Sequence, residues 1–384
     1  MKKLLNRFYD LILDYQALRF VRYEILKLLT GYNQHNYPWT ATKRASRGFG
    51  IICKDPYIVF TTERTSEIEV FSEELKDHKA YFFVIFATTL FSEPHRIRQL
   101  KDSYHKQIAR FPDHKIIFLC NTKQELDSVK PFCKDAHFIN QNALLDENIY
   151  KIIQSDRDLE VVYNGRLNRS KRHYLIPNKY RLGLISASII NLKKERNYLK
   201  QLKNQIPNAL IQNFNPEKRL AEMDEPSFDS IPFLIENEVV KALNRSKVGV
   251  ILSSFEGANY ASMEYLLCGL SVVSTRSSDG RTVFLNNKYC RMVGSRKRAI
   301  RKAIDELLSA NFSPEEIRNN ALKDIYPHRQ RLLKVIGEIL IENDIRLTID
   351  QFWKRFYQNK MTRFKPFPKE FREEMQKAAS LQEV

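Results

Sequence analysis

The stretch from Val248 to Thr275 limits the possible fold of this chain more than any other. It begins with a short β-branched apolar run, Val248 to Leu252, which has the composition of a buried parallel strand. Residues Ala258 to Cys268 have the length and composition of a helix, and Gly269 stands where a helix end favours glycine. A second apolar run, Leu270 to Val273, follows at once. The stretch therefore predicts a strand, a turn, a helix and a second parallel strand, which is a βαβ unit.

The turn between the first strand and the helix is the candidate ligand site. In open α/β sheets such turns lie at the carboxyl edge, where ligands bind. The amides of Gly257, Ala258 and Asn259 open the predicted helix, and amides at a helix N-terminus bind phosphate groups. Glu256 precedes this helix and Glu264 lies inside it. Because carboxylates repel phosphate and accept hydrogen bonds from hydroxyls, the pattern predicts a diphosphate flanked by hydroxyl-bearing groups, as in a nucleotide sugar.

Glu256 and Glu264, separated by seven residues and followed by Cys268-Gly269 and the predicted strand from Ser271, resemble a known signature. It is the E-x7-E motif of retaining GT-B glycosyltransferases similar to family four. The resemblance implies that Glu256 contacts the donor sugar and is catalytic, and that Glu264 contacts the ribose.

The resemblance also implies that the amides of Gly257, Ala258 and Asn259 bind the donor diphosphate, and that Tyr260 is a further donor-binding residue. Two residues depart from the family pattern. Asn259 stands where many members have a second glycine, and Ser271 stands where many have proline.

A second element supports this resemblance. The apolar run that starts at Leu159 ends in Gly165 and Arg166, and Lys171 follows five residues later. This stretch resembles the G-R-L-x-x-x-K element of the same family, which implies that Gly165 binds the donor and that Arg166 and Lys171 are catalytic. Cations at this position neutralise the charge that grows on a departing diphosphate. Arg172 is the neighbour that could take the place of Lys171.

Four further features are candidates with a structural alternative. Arg276 and Arg281 lie in the loop after Thr275 and are either donor contacts or part of a solvated turn. His95 is either an acceptor-positioning residue or a surface histidine. Asp156-Arg-Asp158 has the form of a metal-binding DxD motif, but no predicted strand precedes it, so we interpret it as a solvated turn. We predict no metal ion and no cofactor, since the nucleotide sugar is the donor substrate.

Alternating strand and helix patterns extend through the rest of the chain. We predict an α/β protein of the GT-B class, with two Rossmann-like domains facing a cleft and helical extensions at both ends. Residues 1–50 hold an amphipathic helix and a connector, and residues 51–155 form the acceptor domain. Residues 156–330 form the donor domain, and residues 331–384 form helices that cross back to the first domain.

Composition bears on partners and location. Lys and Arg number 63 against 45 Asp and Glu, a net charge of +18 that attracts an anionic membrane surface or another polyanion. The basic helix predicted at residues 2–30 is either an anchor on anionic lipid or a packing element. The aromatic and basic stretch at residues 349–373 either binds nucleic acid or lipid headgroups, or forms helices that cross back onto the first domain. The N-terminus does not resemble a signal peptide. We therefore expect a cytoplasmic protein, with peripheral binding at the inner face of the membrane as a further hypothesis.

These observations predict a metal-independent, retaining glycosyltransferase of the hexosyltransferase type. Its acceptor is a glycan or lipid-linked glycan, in the synthesis of a surface polysaccharide. Two alternatives stay open. A nucleotide-sugar epimerase of the same fold would use the same donor site but would need acid and base residues that we do not identify. A nucleic-acid-binding protein is indicated by charge alone, because no recognised binding motif occurs.

Overall fold

The computed structural model describes residues 47–62, 71–86, 94–186, 192–214, 216–223, 232, 234–253, 256–277, 280–358 and 364–365. These residues divide into two compact units. The first unit lies within Tyr32–Ala143 and Pro327–Val384, and the second within Leu144–Tyr326. The predicted boundaries after residues 50, 155 and 330 stay predictions.

The described secondary structure alternates between strands and helices along much of the chain. The strands are β1 (Arg47–Lys54), β2 (Tyr57–Thr62), β3 (Ala80–Ile85), β4 (His114–Cys120), β5 (Ala136–Phe138), β6 (Leu159–Asn164), β7 (Leu182–Ile185), β8 (Leu210–Ile211), β9 (Ser246–Ile251), β10 (Ser271–Thr275), β11 (Cys290–Val293) and β12 (Phe364–Lys365). The α-helices are α1 (Pro94–Arg110), α2 (Lys123–Val129), α3 (Leu192–Gln205), α4 (Glu236–Asn244), α5 (Tyr260–Leu267), α6 (Lys297–Ala310), α7 (Pro314–Glu342) and α8 (Ile349–Gln358).

The sheet of the first unit has the strand order β12-β1-β2-β3-β4-β5. Strands β2 to β5 pair in parallel, as the alternation predicts. Strands β1 and β12 pair antiparallel at one side. Residues 47–50, which the sequence pattern placed in the connector, belong to β1. The glycines at 48 and 50 weaken the strand pattern, and pairing with β2 and β12 forms the strand.

Aromatic side chains fill the core of the first unit. Phe60 on β2 and Phe83 on β3 stack with their ring centroids 4.6 Å apart. Helix α8 packs against the same place, with the Phe356 ring 5.0 Å from that of Phe60. Arg355 on α8 also donates a hydrogen bond from Nη1 to the Ile52 carbonyl, at 3.0 Å. The described part of the aromatic and basic stretch therefore serves as packing.

The second unit contains a parallel sheet with the strand order β11-β10-β9-β6-β7-β8. Numbered from β6, this is the order 3-2-1-4-5-6 of a doubly wound Rossmann sheet. The central strands are apolar because helices cover both faces of such a sheet. Val161, Val248 and Val250 are almost wholly buried.

The predicted βαβ unit is confirmed as β9, α5 and β10. Its helix begins two residues later than predicted, at Tyr260. Gly269 has φ +74°, and the Leu270 N–H donates to the Tyr265 carbonyl at 2.9 Å, which closes the helix as a Schellman motif. Gly249 on β9 lets Tyr265 approach the sheet, since a Cβ at this position would lie 2.2 Å from the tyrosine ring.

No helix among the described residues is both long enough and apolar enough to cross a bilayer. The amphipathic helix predicted at residues 2–30 lies outside the described residues.

Candidate functional site

The strand order of the second sheet reverses between β6 and β9. In doubly wound sheets, ligands bind in the crevice at the carboxyl ends of the strands at such a point. The loop after β6 carries Arg166 and Lys171, and the loop after β9 carries Glu256. The fold therefore brings predicted residues from two distant stretches of sequence to the same edge of the sheet.

Lys171 and Glu256 contact each other directly at this edge. Lys171 Nζ donates to Glu256 Oε1, and the two side chains are only 18% and 13% exposed. Asn259 Nδ2 donates to the other carboxylate oxygen, Oε2. Asn259, the residue that departs from the family glycine, thus supplies a second donor to Glu256.

The charge of Glu256 depends on its cationic neighbours. Burial alone would raise the pKa of this carboxyl, but the positive charges of Lys171 and Arg281 outweigh burial and hold the pKa below its ordinary value. Glu256 is therefore ionised at neutral pH. An ionised carboxylate in this position can accept hydrogen bonds from sugar hydroxyls.

Glu264 lies deeper on α5 and is also held by two donors. Asn164 Nδ2 at the end of β6 donates to Glu264 Oε2 at 2.7 Å. The Tyr150 side chain hydrogen-bonds to the same carboxylate. Burial is the main cause that raises the pKa of Tyr150, and the nearby charge of Glu264 raises it further. The Tyr150 hydroxyl therefore keeps the proton that it donates. Neither Tyr150 nor Asn164 is among the residues predicted from the sequence.

The two arginines Arg172 and Arg281 are buried, with 3% and 0% of their surface exposed. Arg281 Nη1 donates to the Ser253 carbonyl at 2.9 Å, and its Nη2 donates to the Thr275 carbonyl at 3.0 Å. Arg172 donates from Nε to the Leu252 carbonyl and from Nη2 to Thr275 Oγ1, the latter at 3.1 Å. Both guanidinium groups thus cross-link the ends of β9 and β10. The solvated-turn alternative is therefore wrong for Arg281. Its role as a donor contact, and the role of Arg172 in place of Lys171, stay predictions.

Tyr163 fixes the backbone next to Lys171. Its hydroxyl donates to the Lys171 carbonyl at 2.6 Å and accepts the Leu252 N–H at 3.2 Å. The loop after β6 is thereby joined to the end of β9. Gly165 lies beside this tyrosine, since a Cβ at Gly165 would be 3.3 Å from the ring.

The remaining predicted cations occupy different positions. Arg166 is half-buried, and its side chain has no hydrogen-bonding or ion-pair partner among the described residues. Arg276 is exposed and lines a cavity of about 590 Å³ with Ser277, Asn287 and Arg291. Arg166 therefore keeps a cationic group available in the loop that carries Lys171.

The start of α5 combines the predicted diphosphate-binding residues. Asn259 occupies the N-cap position without capping the helix through its side chain. Ala258 is buried, and the Gly257 carbonyl accepts the Arg281 N–H at 3.2 Å. Tyr260 is half-buried, and burial followed by the charge of Glu264 raises its pKa.

Two predicted features lie away from this edge. His95 belongs to α1 in the first unit, and its side chain lies outside the described residues. In the DxD stretch, Asp156 is exposed but Asp158 bonds to Arg245 at 2.9 and 2.6 Å. The predicted solvated turn is therefore wrong for Asp158, whose pKa is lowered mainly by Arg245.

Within the described ranges, no group of three His, Cys, Asp or Glu residues could hold a metal ion.

No family model matches the sequence, and no curated protein matches it. Solved structures do match. Sucrose-phosphate synthase from Thermosynechococcus elongatus has a TM-score of 0.52 and 12% identity, over 74% of this chain and 74% of that chain. The chain has the GT-B fold.

Two other similar structures were solved with nucleotide bound. HepE from Anabaena, solved in complex with UDP, has a TM-score of 0.49 and 14% identity, over 71% of this chain and 82% of that chain. The pneumococcal O-GlcNAc transferase GtfA, solved with UDP and GlcNAc, has a TM-score of 0.44 and 14% identity, over 72% of this chain and 54% of that chain.

Three residues at the site were not predicted from the sequence: Tyr150, Tyr163 and Asn164. Asn164 could have been predicted, because it is a polar residue at the end of a buried strand, next to Gly165. Tyr163 looks like any core residue of β6 in the sequence. Tyr150 left no signal at all, since only the folded chain brings it to Glu264.

Proposed function

We propose that this chain transfers a sugar from a nucleotide-sugar donor to an acceptor, with retention at the anomeric carbon and without a metal ion. One observation carries the proposal. Lys171, Asn259 and Glu256 meet in a mostly buried cluster at the strand-order reversal, where doubly wound sheets bind ligands. The GT-B fold by itself would not distinguish a transferase from other uses of the fold.

The proposed donor runs along the start of α5. Glu264 accepts hydrogen bonds from the ribose hydroxyls, and the backbone from Gly257 to Tyr260 binds the diphosphate at the helix N-terminus. Glu256 accepts hydrogen bonds from hydroxyls of the donor sugar. This assignment places each carboxylate against hydroxyl groups, and neither carboxylate contacts the phosphate groups.

Lys171 and Arg166 supply positive charge for the departure of the nucleoside diphosphate. Bond cleavage at the anomeric carbon leaves negative charge on the diphosphate, and a fixed cation stabilises that charge most in a site with little water. Lys171 is bonded to Glu256 in the structure. Arrival of the diphosphate gives Lys171 a second anionic partner while the sugar hydroxyls become partners of Glu256.

A thermal-shift screen with UDP-, GDP-, dTDP- and ADP-sugars tests the proposal. A donor at about 100 times its Kd stabilises the folded protein by about 2.7 kcal/mol, which raises the melting temperature measurably. We expect one nucleotide class to give a clear shift and Glu264→Gln to reduce it. Absence of a shift with every nucleotide sugar would contradict the proposal. Recovery of the bound sugar as its epimer, without any acceptor, would favour the epimerase.

We propose that the acceptor is a glycan or lipid-linked glycan of surface polysaccharide synthesis, met at an anionic membrane surface. The net charge of +18 supports this, since each Lys or Arg near such a surface contributes about 1 kcal/mol. Co-sedimentation with vesicles of rising phosphatidylserine content tests it, for the full chain and for a version without residues 1–30. Lack of binding by the full chain at low salt would contradict the membrane proposal.

A further inference from the structure

Asn164 holds helix α5 at two consecutive residues. Its side-chain Nδ2 donates to Glu264 Oε2 at 2.7 Å, and its backbone N–H donates to the Tyr265 hydroxyl at 2.6 Å. The Tyr265 ring is buried against Gly249 on the central strand β9. Asn164 is therefore fixed relative to the sheet before it contacts the carboxylate.

Tyr150 reaches Glu264 from a separate segment that is fixed as well. Arg318 Nη1 donates to the Tyr150 carbonyl and to the Leu267 carbonyl, both at 2.6 Å. Leu267 is the last residue of α5, so Arg318 joins the Tyr150 segment to the helix that carries Glu264. Tyr150 is only 7% exposed. The backbone of Tyr150 is thus held by Arg318, and its side chain is largely shielded from solvent.

We propose that Tyr150 and Asn164 are positioning residues that orient the Glu264 carboxylate and thereby set a preference for ribose over 2′-deoxyribose nucleotides. This inference rests on the proposed function, which places a ribose against Glu264. Two donors that are themselves held in place fix the plane of a carboxylate. A carboxylate in a fixed plane can select a ribose by its 2′-hydroxyl, as acidic residues do in other nucleotide sites. Loss of either donor lets the carboxylate rotate, and the selectivity falls.

The test uses Tyr150→Phe and Asn164→Ala, which remove one donor each from different segments. Tyr180→Phe is the matched control. Tyr180 is 4% exposed and lies in the same unit, and its hydroxyl donates to Asp305 Oδ1 at 2.8 Å, so its loss also removes a tyrosine–carboxylate bond. Isothermal titration measures the affinities of the wild type and each variant for UDP, GDP and ADP and for their 2′-deoxy counterparts. Melting temperatures of the variants report whether each one is folded.

We expect the wild type to bind the ribonucleotide of its preferred base more tightly than the deoxyribonucleotide. The ratio of the two affinities should fall by about threefold to tenfold in Tyr150→Phe and in Asn164→Ala, the loss expected for one hydrogen bond, and should not change in Tyr180→Phe. A purely structural role would weaken both ligands equally and leave the ratio unchanged, which would overturn the inference while the proposed function stands. A wild-type ratio near one would also overturn it. Failure of the wild type to bind any of these nucleotides, or dTDP, would overturn the proposed function as well.

Discussion

Lys171 and Glu256 form an ion pair between the loop after β6 and the loop after β9. Both side chains are mostly shielded from water. Since a charge that is shielded from water destabilises the fold when it has no partner, each residue helps to keep the other in place. The pair therefore links the stability of the site to its proposed chemistry.

A double-mutant cycle with Lys171→Met and Glu256→Gln should show coupling. Lys171→Met leaves a shielded carboxylate without its cation, and we expect it to destabilise the fold by up to about 3 kcal/mol. The coupling energy from urea unfolding should lie in the range of about 0.5–3 kcal/mol expected for residues in contact. Strictly additive effects of the two substitutions would contradict the ion pair.

His173 should make the protein less stable in mild acid. The imidazole is 1% exposed and lies 4.3 Å from the Tyr163 ring. Burial, followed by the charge of Lys171, lowers its pKa from 6.5 to about 3. The neutral form is therefore kept in the folded state, while the unfolded chain takes up a proton below about pH 6.5. Stability is complete above this pH and falls as the pH drops towards 3, by up to about 1.4 kcal/mol per pH unit.

Urea unfolding of the wild type and His173→Phe at pH 7.5, 6 and 5 measures this effect. The free energy of unfolding of the wild type should fall more steeply with decreasing pH than that of the variant. Parallel pH profiles for the two proteins would show that His173 does not contribute.

Gly269→Ala should destabilise the βαβ unit. The φ of +74° costs a residue with a side chain about 1–2 kcal/mol, and the new Cβ would lie 2.6 Å from Pro314 Cβ and 2.7 Å from its carbonyl oxygen. Gly337 inside α7 is the control, because a Cβ there meets nothing within 4 Å. Gly337→Ala should stabilise the helix by about 0.5–1 kcal/mol. Equal effects of the two substitutions on the melting temperature would contradict the helix end described for α5.

Chelation with EDTA should leave sugar transfer largely intact. Arg166 and Lys171 provide cations in the loop beside Glu256, and such cations can neutralise a departing diphosphate in place of a metal ion. Transfer is measured before and after dialysis against EDTA. Loss of activity that added magnesium or manganese restores would contradict metal independence.

The sequence predicted the central βαβ unit well because its signals are local. Apolar β-branched runs and a glycine after the helix depend on nearby residues alone. Strand β1 was missed because its pairing with β2 and β12, not its own glycine-containing pattern, makes it a strand. The environments of Arg172 and Arg281 could not be predicted either, since only the folded sheet brings the carbonyls of Leu252, Ser253 and Thr275 within reach.

The assignment of Glu264 to the ribose and Glu256 to the sugar is the central claim, and one titration series tests it most directly. Wild type, Glu264→Gln and Glu256→Gln are titrated with the nucleotide sugar found in the screen and with its free nucleoside diphosphate. Glu264→Gln should weaken both ligands by about tenfold to a hundredfold, because a charge-assisted hydrogen bond is worth about 1.5–3 kcal/mol. Glu256→Gln should leave the affinity for the free nucleoside diphosphate nearly unchanged while it weakens the nucleotide sugar. An unchanged affinity in Glu264→Gln, or an equal loss for both ligands in Glu256→Gln, would contradict the assignment.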